Sequence, residues 1–332
     1  MDPVLDAPAM ERATRNAQRV TVPRTQPLSP ETAPPVIGKR PDWLKVPLSH
    51  GPHFKELKGL MREQQLHTIC EEAACPNIGE CWGEFRTASF LLLGDMCTRN
   101  CGFCDVTTGR PGSVDWGEPL RLAEAVTRLQ LRHVVITSVT RDDLDDGGAA
   151  IFAATIRQLK KRDPALGVEV LIPDFQGNWD ALGVVMQAQP DILNHNLETV
   201  PRLYSRVRPK AIYGQSLELL RRAKALSPRT PTKSGLMVGL GESFEEMVEA
   251  FGALREHGVQ VLTVGQYLRP TERHLPVVRY WHPDEFAALE RAAYEIGFES
   301  VAAGPLVRSS YHADEHVPQE RPGEGPVAFM AR

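Results

Sequence analysis

Cys97-Thr98-Arg99-Asn100-Cys101-Gly102-Phe103-Cys104 places three thiols four and three residues apart in a stretch interrupted by Asn and Gly. On a regular helix these positions would share one face, but Asn100 and Gly102 favour a loop. Three thiolates are one short of the four that close a structural zinc or iron–sulfur site. A four-iron cube held this way keeps one iron open to a small chelating molecule. All six cysteines of the 332-residue chain (Cys70, Cys75, Cys81, Cys97, Cys101 and Cys104) fall in this one region.

Composition narrows the classes. A hydrophobic fraction of 42% in 332 residues suffices for a sizeable core without covalent staples. Disulfide frameworks belong to small secreted domains, and no secretory leader pattern opens this chain. Clustered thiols therefore point to metal in a reducing compartment, and a cytoplasmic location is expected. A net charge of −4 gives no global nucleic-acid footprint. No apolar run approaches the roughly 20 residues that span a bilayer. Neither a nucleic-acid nor a membrane partner is expected.

Residues 1–40 are rich in Pro, Ala, Arg and Thr and read as a flexible tail. Residues 41–86 form an N-terminal extension with helical character over 53–67, followed by Cys70, Cys75 and Cys81. Pro76, Asn77 and Gly79 bend that second triad around a point, as a wrapped metal site requires. From residue 87 to about 305, strand-like runs at Ser89–Leu93, His133–Ser138, Val168–Pro173, Ile192–Leu197, Ser234–Val238 and Val261–Tyr267 alternate with helical patterns at 118–130, 148–161, 179–189, 213–226, 243–257 and 283–297. Six β-then-α units argue for a parallel sheet with helices outside. A full eight-stranded barrel takes about 250 residues, so the expected α/β fold is a partial, TIM-like (β/α)6 barrel. Residues 306–332 form a C-terminal segment.

In such barrels the loops after the strand C-termini carry function, and the polar residues collect there. The loop after the second strand runs from Thr137 and Ser138 through Arg141 to a set of carboxylates ending in Gly147-Gly148. It offers hydroxyl and backbone groups to a ligand and leaves Arg141 free to face an anion. Asn194, Asn196 and Glu198 would alternate on one strand face. A buried polar row must be met by water or a ligand, and ribose hydroxyls suit a carboxylate and an amide. Gly235-Leu236-Met237-Val238-Gly239-Leu240-Gly241-Glu242 places glycines at a strand end, where the backbone can approach a flat ring closely.

The CxxxCxxC spacing with aromatic Phe103 before the last Cys resembles the signature of the radical S-adenosylmethionine (SAM) superfamily, and Gly235 to Glu242 resembles its GxIxGxxE pattern. With Cys70/Cys75/Cys81, Thr-Ser-Val-x-Arg-Asp-Asp-Leu, Asn-His-Asn-Leu-Glu-Thr and Arg308-Ser309-Ser310-Tyr311 in this order, the chain resembles the lipoyl synthase family from about Trp43 to His312. The resemblance implies two [4Fe–4S] clusters. Cys97, Cys101 and Cys104 would hold the one at which SAM is cleaved to methionine and a 5′-deoxyadenosyl radical. Phe103, Thr137, Ser138, Asn196, Glu198 and Gly239 are the expected SAM contacts. Cys70, Cys75 and Cys81 with a serine of the Arg-Ser-Ser-Tyr motif would hold an auxiliary cluster. Ser310 is the chosen ligand, although nothing in the sequence separates it from Ser309.

The implied reaction inserts two sulfur atoms, at C6 and C8 of an octanoyl chain, using two SAM per lipoyl group with the auxiliary cluster as donor. The implied partners are an octanoylated lipoyl carrier, either an H protein or the lipoyl domain of an E2 subunit, and a one-electron donor such as flavodoxin or ferredoxin. Two other readings remain open at this point. One is a different auxiliary-cluster enzyme that inserts sulfur elsewhere, and the other is a non-enzymatic metal-binding module.

Overall fold

Residues that are apolar on both faces of a strand form parallel sheets covered by helices, and the runs His133–Ser138 and Val261–Gln266 are of this kind, buried almost throughout. The computed structural model describes residues 40–45, 52–73, 75–82, 88–310 and 313. The expected tail and the motif residues Tyr311 and His312 lie outside them.

Ten strands occur among the described residues: β1 His67–Thr68, β2 Ser89–Leu92, β3 Met96–Cys97, β4 Thr107–Thr108, β5 His133–Ser138, β6 Gly167–Leu171, β7 Ile192–Asn194, β8 Thr232–Val238, β9 Val261–Gln266 and β10 Ser300–Gly304. Eight of them make one sheet in the order β1-β2-β5-β6-β7-β8-β9-β10. Pairing is parallel from β2 to β10, with β1 antiparallel at the edge. All six expected strands form. The sheet continues past them at both ends, through β1 of the N-terminal extension and through β10. The short parallel pair β3 and β4 closes the base of the Cys97–Cys104 loop, with Cys97 opposite Thr108.

Helices Glu118–Arg128, Ala149–Arg162, Trp179–Gln187, Tyr213–Leu226, Phe244–Glu256 and Pro283–Ile296 lie between successive strands as expected. Their starts follow local chemistry. Ser243 and Glu246 form a reciprocal capping box, with Ser243 Oγ accepting from Glu246 N at 3.2 Å and Glu246 Oε2 accepting from Ser243 N at 2.9 Å. Asn178 Oδ1 accepts from Ala181 N at 3.1 Å to open the helix at Trp179. Pro283 occupies the first turn of the last helix, where a missing N–H costs nothing. Among the described residues, no helix is long and apolar enough to cross a membrane.

One expected strand is shorter than its sequence pattern. β7 ends at Asn194 rather than Leu197, because Glu198 takes a left-handed φ of 69° and rejoins the sheet only through a single bridge to Leu236. The expected row of three polar residues therefore runs on past the strand end, with Asn196 Oδ1 2.8 Å from where a Cβ on Gly235 would stand and Asn196 donating to Glu198. Asn194 turns to the interior of the barrel, where its amide donates to Glu169 Oε1 at 3.0 Å. Glu169 also accepts from Lys233 Nζ at 3.1 Å, both side chains being fully buried. His133 lies 4.0 Å from the same carboxylate, and burial together with Lys233 and Lys160 drives its pKa down to about 3, so the ring is neutral.

A buried ion pair is costly to half-remove, because the partner left behind is an unsolvated charge. Lys233→Met should destabilise the protein by about 3–5 kcal/mol in urea unfolding, and adding Glu169→Leu should recover much of that loss. Additive losses in the double variant would show that the two side chains do not act as a pair.

Candidate radical and auxiliary cluster sites

The Cys97–Cys104 loop follows β2 at the C-terminal end of the sheet and is tied down on every side. Thr98 N donates to Thr140 O at 3.0 Å, Gly102 N to Val207 O at 2.9 Å and Leu275 N to Gly102 O at 2.9 Å. His274 Nε2 meets Cys104 O at 3.0 Å, and Lys210 Nζ donates to Thr98 O at 2.8 Å.

The strongest tie is Arg99. Its guanidinium is buried and held by two carboxylates, with Nε and Nη2 on Asp142 at 2.8 Å and Nη1 and Nη2 on Asp174 at 2.7 Å. Burial pushes the Asp174 carboxyl up, but the hydrogen bonds and charge of Arg99 outweigh it and hold the group below its ordinary range.

The three thiols of this loop act on one another electrostatically. Cys97 Sγ accepts from Arg99 N at 3.4 Å and from Thr140 N at 3.3 Å, as a thiolate ligand does. Burial, followed by Cys101, Cys97 and Glu198, pushes Cys104 up to about 12, against the Val106 N–H. Cys101 is raised by burial, with Arg208 pulling the other way and Glu198 and Cys97 adding to the rise. Buried thiols of this kind ionise only if a cation joins them, so the set fits a positively charged iron–sulfur core.

Around these thiols stand several of the expected contacts. Asn196 Nδ2 donates to Glu198 Oε1 at 3.0 Å, and Glu198 is raised by burial against the pull of Arg208. Asn196 Oδ1 and Ser138 Oγ are buried without a partner in the protein, which is the condition of groups that await a polar ligand. Thr137 Oγ1, in contrast, is used by Leu171 O at 2.9 Å. Phe103 is half-buried against the core. Gly239 has a reason of its own to be glycine: at φ 108°, a Cβ would stand 2.1 Å from Gln266 Nε2. Arg141 is not free for an anion. Asp143, two residues on, binds its Nε at 2.9 Å and Nη2 at 2.8 Å, and Gly112 O takes Nη2 at 2.9 Å.

The second triad is also brought together. Burial, then the neighbouring Cys75 and Cys81, push Cys70 up to about 12, while the Ser89 N–H and the fully buried Trp82 indole N–H oppose the rise. Cys75 is raised by burial, with Arg308 and the Asn77 N–H pulling it down. Arg308 of the Arg-Ser-Ser-Tyr motif thus acts on Cys75 from the far end of the chain. Asn77, which is buried, donates its amide to Leu306 O at 2.7 Å. The approach depends on Gly265 of β9, where a Cβ would stand 2.1 Å from Val307 O. Ser309 and Ser310 follow, both half-buried. The buried Trp82 indole N–H, which has no partner in the protein, and the positive charge of Arg308 acting on Cys75 fit a negatively charged thiolate-bound group. Among the described residues, no three His, Cys, Asp or Glu side chains converge tightly enough for a single metal ion.

Several residues of these sites carry no signal in one sequence. Arg208 binds Asn196 O at 2.7 Å and Tyr204 Oη at 2.8 Å, and it acts on both Glu198 and Cys101. Trp82, Asn77 and His274 are likewise set by tertiary contact. Asp174 was within reach, because a carboxylate just past the end of a barrel strand is a site candidate by position.

Comparison with known proteins identifies the family. Residues 91–263 match the radical SAM superfamily, and residues 36–75 match the N-terminal domain of lipoyl synthase of that family. A lipoyl synthase from Symbiobacterium thermophilum is 57% identical over 305 residues, covering 91% of this chain and 95% of its own. One from Rubrobacter xylanophilus is 59% identical over 284 residues, covering 86% and 88%. Among solved structures, methylornithine synthase aligns with a TM-score of 0.51 at 12% identity over 73% of each chain. A maturase of the [FeFe]-hydrogenase aligns with a TM-score of 0.51 at 13% identity over 93% of this chain and 70% of its own. At such identities the structures share the fold alone.

Removing one carboxylate from Arg99 should loosen the cysteine loop. Asp174→Asn is expected to cost about 2–4 kcal/mol at pH 7. A carboxyl depressed in the folded state stabilises fully above its ordinary pKa of about 3.9 and loses that contribution as pH falls through the folded value. The gap between wild type and variant in urea unfolding should therefore shrink below about pH 4. A gap that stays constant to pH 3 counts against the assignment.

Proposed function

Because this chain belongs to the lipoyl synthase family of the radical SAM superfamily, we propose that it inserts sulfur at C6 and C8 of an octanoyl chain carried on a lipoyl carrier protein, with a second [4Fe–4S] cluster as sulfur donor. That it is an enzyme, a sulfurtransferase that uses SAM and a [4Fe–4S] cluster, follows from the family. The observation that carries the finer reading is the pair of incomplete thiol sets. Each is gathered by the fold, and the Arg308 segment is brought against only one of them.

On this reading Cys97, Cys101 and Cys104 hold the SAM-cleaving cluster, and Cys70, Cys75, Cys81 and Ser310 hold the auxiliary one. When bound, the first group supplies an electron to SAM and the second supplies sulfide. The protein's residues do the positioning. Arg99, clamped by Asp142 and Asp174, fixes the loop that presents the three thiols. Asn196 and Glu198 offer an amide and a carboxylate to ribose hydroxyls, and Ser138 offers its unpartnered hydroxyl nearby. Arg208 pulls the Glu198 carboxyl down against the rise that burial causes, and it donates to Asn196 O at 2.7 Å. The octanoyl C–H bonds are unactivated, so no side-chain base is asked to remove those hydrogens. The chain's task there is to hold the alkyl carbons in place and keep water out.

The proposed partners are an octanoylated H protein or E2 lipoyl domain and a flavodoxin or ferredoxin as one-electron donor, in the cytoplasm. A chain that loads six clustered thiols with iron requires such a reducing setting.

Octanoylated carrier incubated anaerobically with reductant and SAM should become lipoylated. In the same assay Cys101→Ala should abolish formation of 5′-deoxyadenosine. Cys75→Ala should still form 5′-deoxyadenosine but yield no lipoylated carrier. If both variants behave alike, the division between the two sites is wrong.

A further inference from the structure

His195 stands in the chain between Asn194 and Asn196, yet its ring is engaged elsewhere. Nδ1 meets Ile172 O at 2.8 Å, and Nε2 meets Ser216 Oγ, on the helix Tyr213–Leu226, at 3.0 Å. Ser216 Oγ in turn lies 3.0 Å from Tyr204 Oη, which accepts from Arg208 Nη1 at 2.8 Å. His195, Ser216 and Tyr204 are all buried. The direction of this chain follows from what each atom can give. A carbonyl only accepts, so His195 Nδ1 carries a hydrogen. Burial and the charge of Arg208 push the ring down to about 4, against the Ile172 carbonyl and Asp174, so it is neutral and its Nε2 is a bare acceptor. Ser216 has one hydrogen and gives it to Nε2. Its oxygen then accepts from Tyr204, and Tyr204 Oη accepts from Arg208. Every hydrogen points one way, from Arg208 towards Ile172 O.

We propose that His195, Ser216 and Tyr204 are positioning residues for SAM: a hydrogen-bond relay that sets Arg208 on Asn196 O and so holds the Asn196 and Glu198 side chains where ribose hydroxyls meet them. The inference rests on the SAM site read above. Arg208 Nη1 has a second hydrogen, and it goes to Asn196 O at 2.7 Å. Asn196 donates to Glu198 Oε1 at 3.0 Å and keeps its own Oδ1 buried and unpartnered for a ligand. The relay touches the cysteine loop as well, because the short helix Tyr204–Val207 ends on Val207, whose carbonyl accepts from Gly102 N at 2.9 Å. Each hydroxyl of the relay both gives and receives. Removing one therefore leaves an unpaired group on either side of it and detaches Arg208 from its anchor.

The test uses the full chain loaded with iron and sulfide and left unreduced, so that SAM binds without being cleaved. Tyr204→Phe and Ser216→Ala should each raise the SAM dissociation constant about tenfold, with iron content unchanged. The double variant should bind no more weakly than either single one, because a relay broken once cannot be broken again. On reduction, 5′-deoxyadenosine formation at saturating SAM should stay within about twofold of wild type, so that the change falls on KM and not on kcat. An unchanged dissociation constant, losses that multiply in the double variant, a fall in kcat as large as the loss of binding, or loss of iron in both single variants would overturn the proposal. If Ser216→Ala alone loses iron, Tyr204→Phe decides, since it keeps the ring and removes only the hydroxyl. A wild-type chain that binds no SAM fails the site reading first and takes the proposal with it.

Discussion

The fork of Arg99 between Asp142 and Asp174 is the interaction on which the site at the mouth of the barrel depends. A loop carrying three thiols has little apolar surface of its own with which to fold. Its conformation is set by groups that reach in from the strand ends. Asp142 comes from the loop after β5 and Asp174 from just beyond β6, so one guanidinium joins three successive connections of the sheet. Lysine could not do this, because only a planar fork satisfies two carboxylates at once. The backbone ties from Thr140, Val207 and Leu275 then fix the loop against the remaining connections. With the loop held, Cys97 receives its two N–H donors and Cys101 comes to face Arg208 and Glu198.

Around the second triad the problem is different, because its parts lie at opposite ends of the chain. β1 adds the N-terminal extension to one edge of the sheet, and β10 ends the sheet at the other. The segment leaving β10 turns back over β9 and meets Asn77, 229 residues away in sequence. Asn77 serves both sides of this junction, giving its backbone N–H to Cys75 and its side-chain amide to Leu306 O. A glycine at position 265 is what lets the two backbones approach, and any side chain there would lift the strap off the sheet.

Strands of the barrel were legible because burial on both faces leaves continuous apolar runs. Helices were legible because their caps are local. β10 was not, since Ser300-Val301-Ala302-Ala303-Gly304 has small residues where a strand signal needs large or branched ones. The alternation of Asn194, Asn196 and Glu198 mimicked a longer strand, which ends at Asn194 before the left-handed backbone at Glu198. An acidic run such as the one after β5 is usually solvated. Instead Asp142 holds Arg99, Asp143 holds Arg141, and Asp146 accepts from Gly148 N and Ala150 N at 2.9 Å to start a helix. Both cysteine triads could be read from spacing, because ligands to one group must bend the chain around it. Arg208, which acts on Cys101 and Glu198, arrives by tertiary folding, and no spacing rule reaches it.

The two triads end in unlike surroundings, and the difference matches unlike tasks on the proposed assignment. Arg208 and Glu198 act on Cys101 in opposite directions, and Asn196 links them by donating to Glu198 and accepting from Arg208. Cys97 is further fixed by two N–H donors, which suits a ligand to a group that must survive each turnover. At the other triad the balance is left open. Arg308 acts on Cys75 there, and on the proposed assignment the fourth ligand would be a hydroxyl, harder than thiolate and less suited to iron bound to sulfide. A site that holds a group firmly by charge but with one weak ligand has an obvious place to open. On that assignment, sulfur donation would open the site at the end that arrives on the strap rather than at the triad the barrel edge holds.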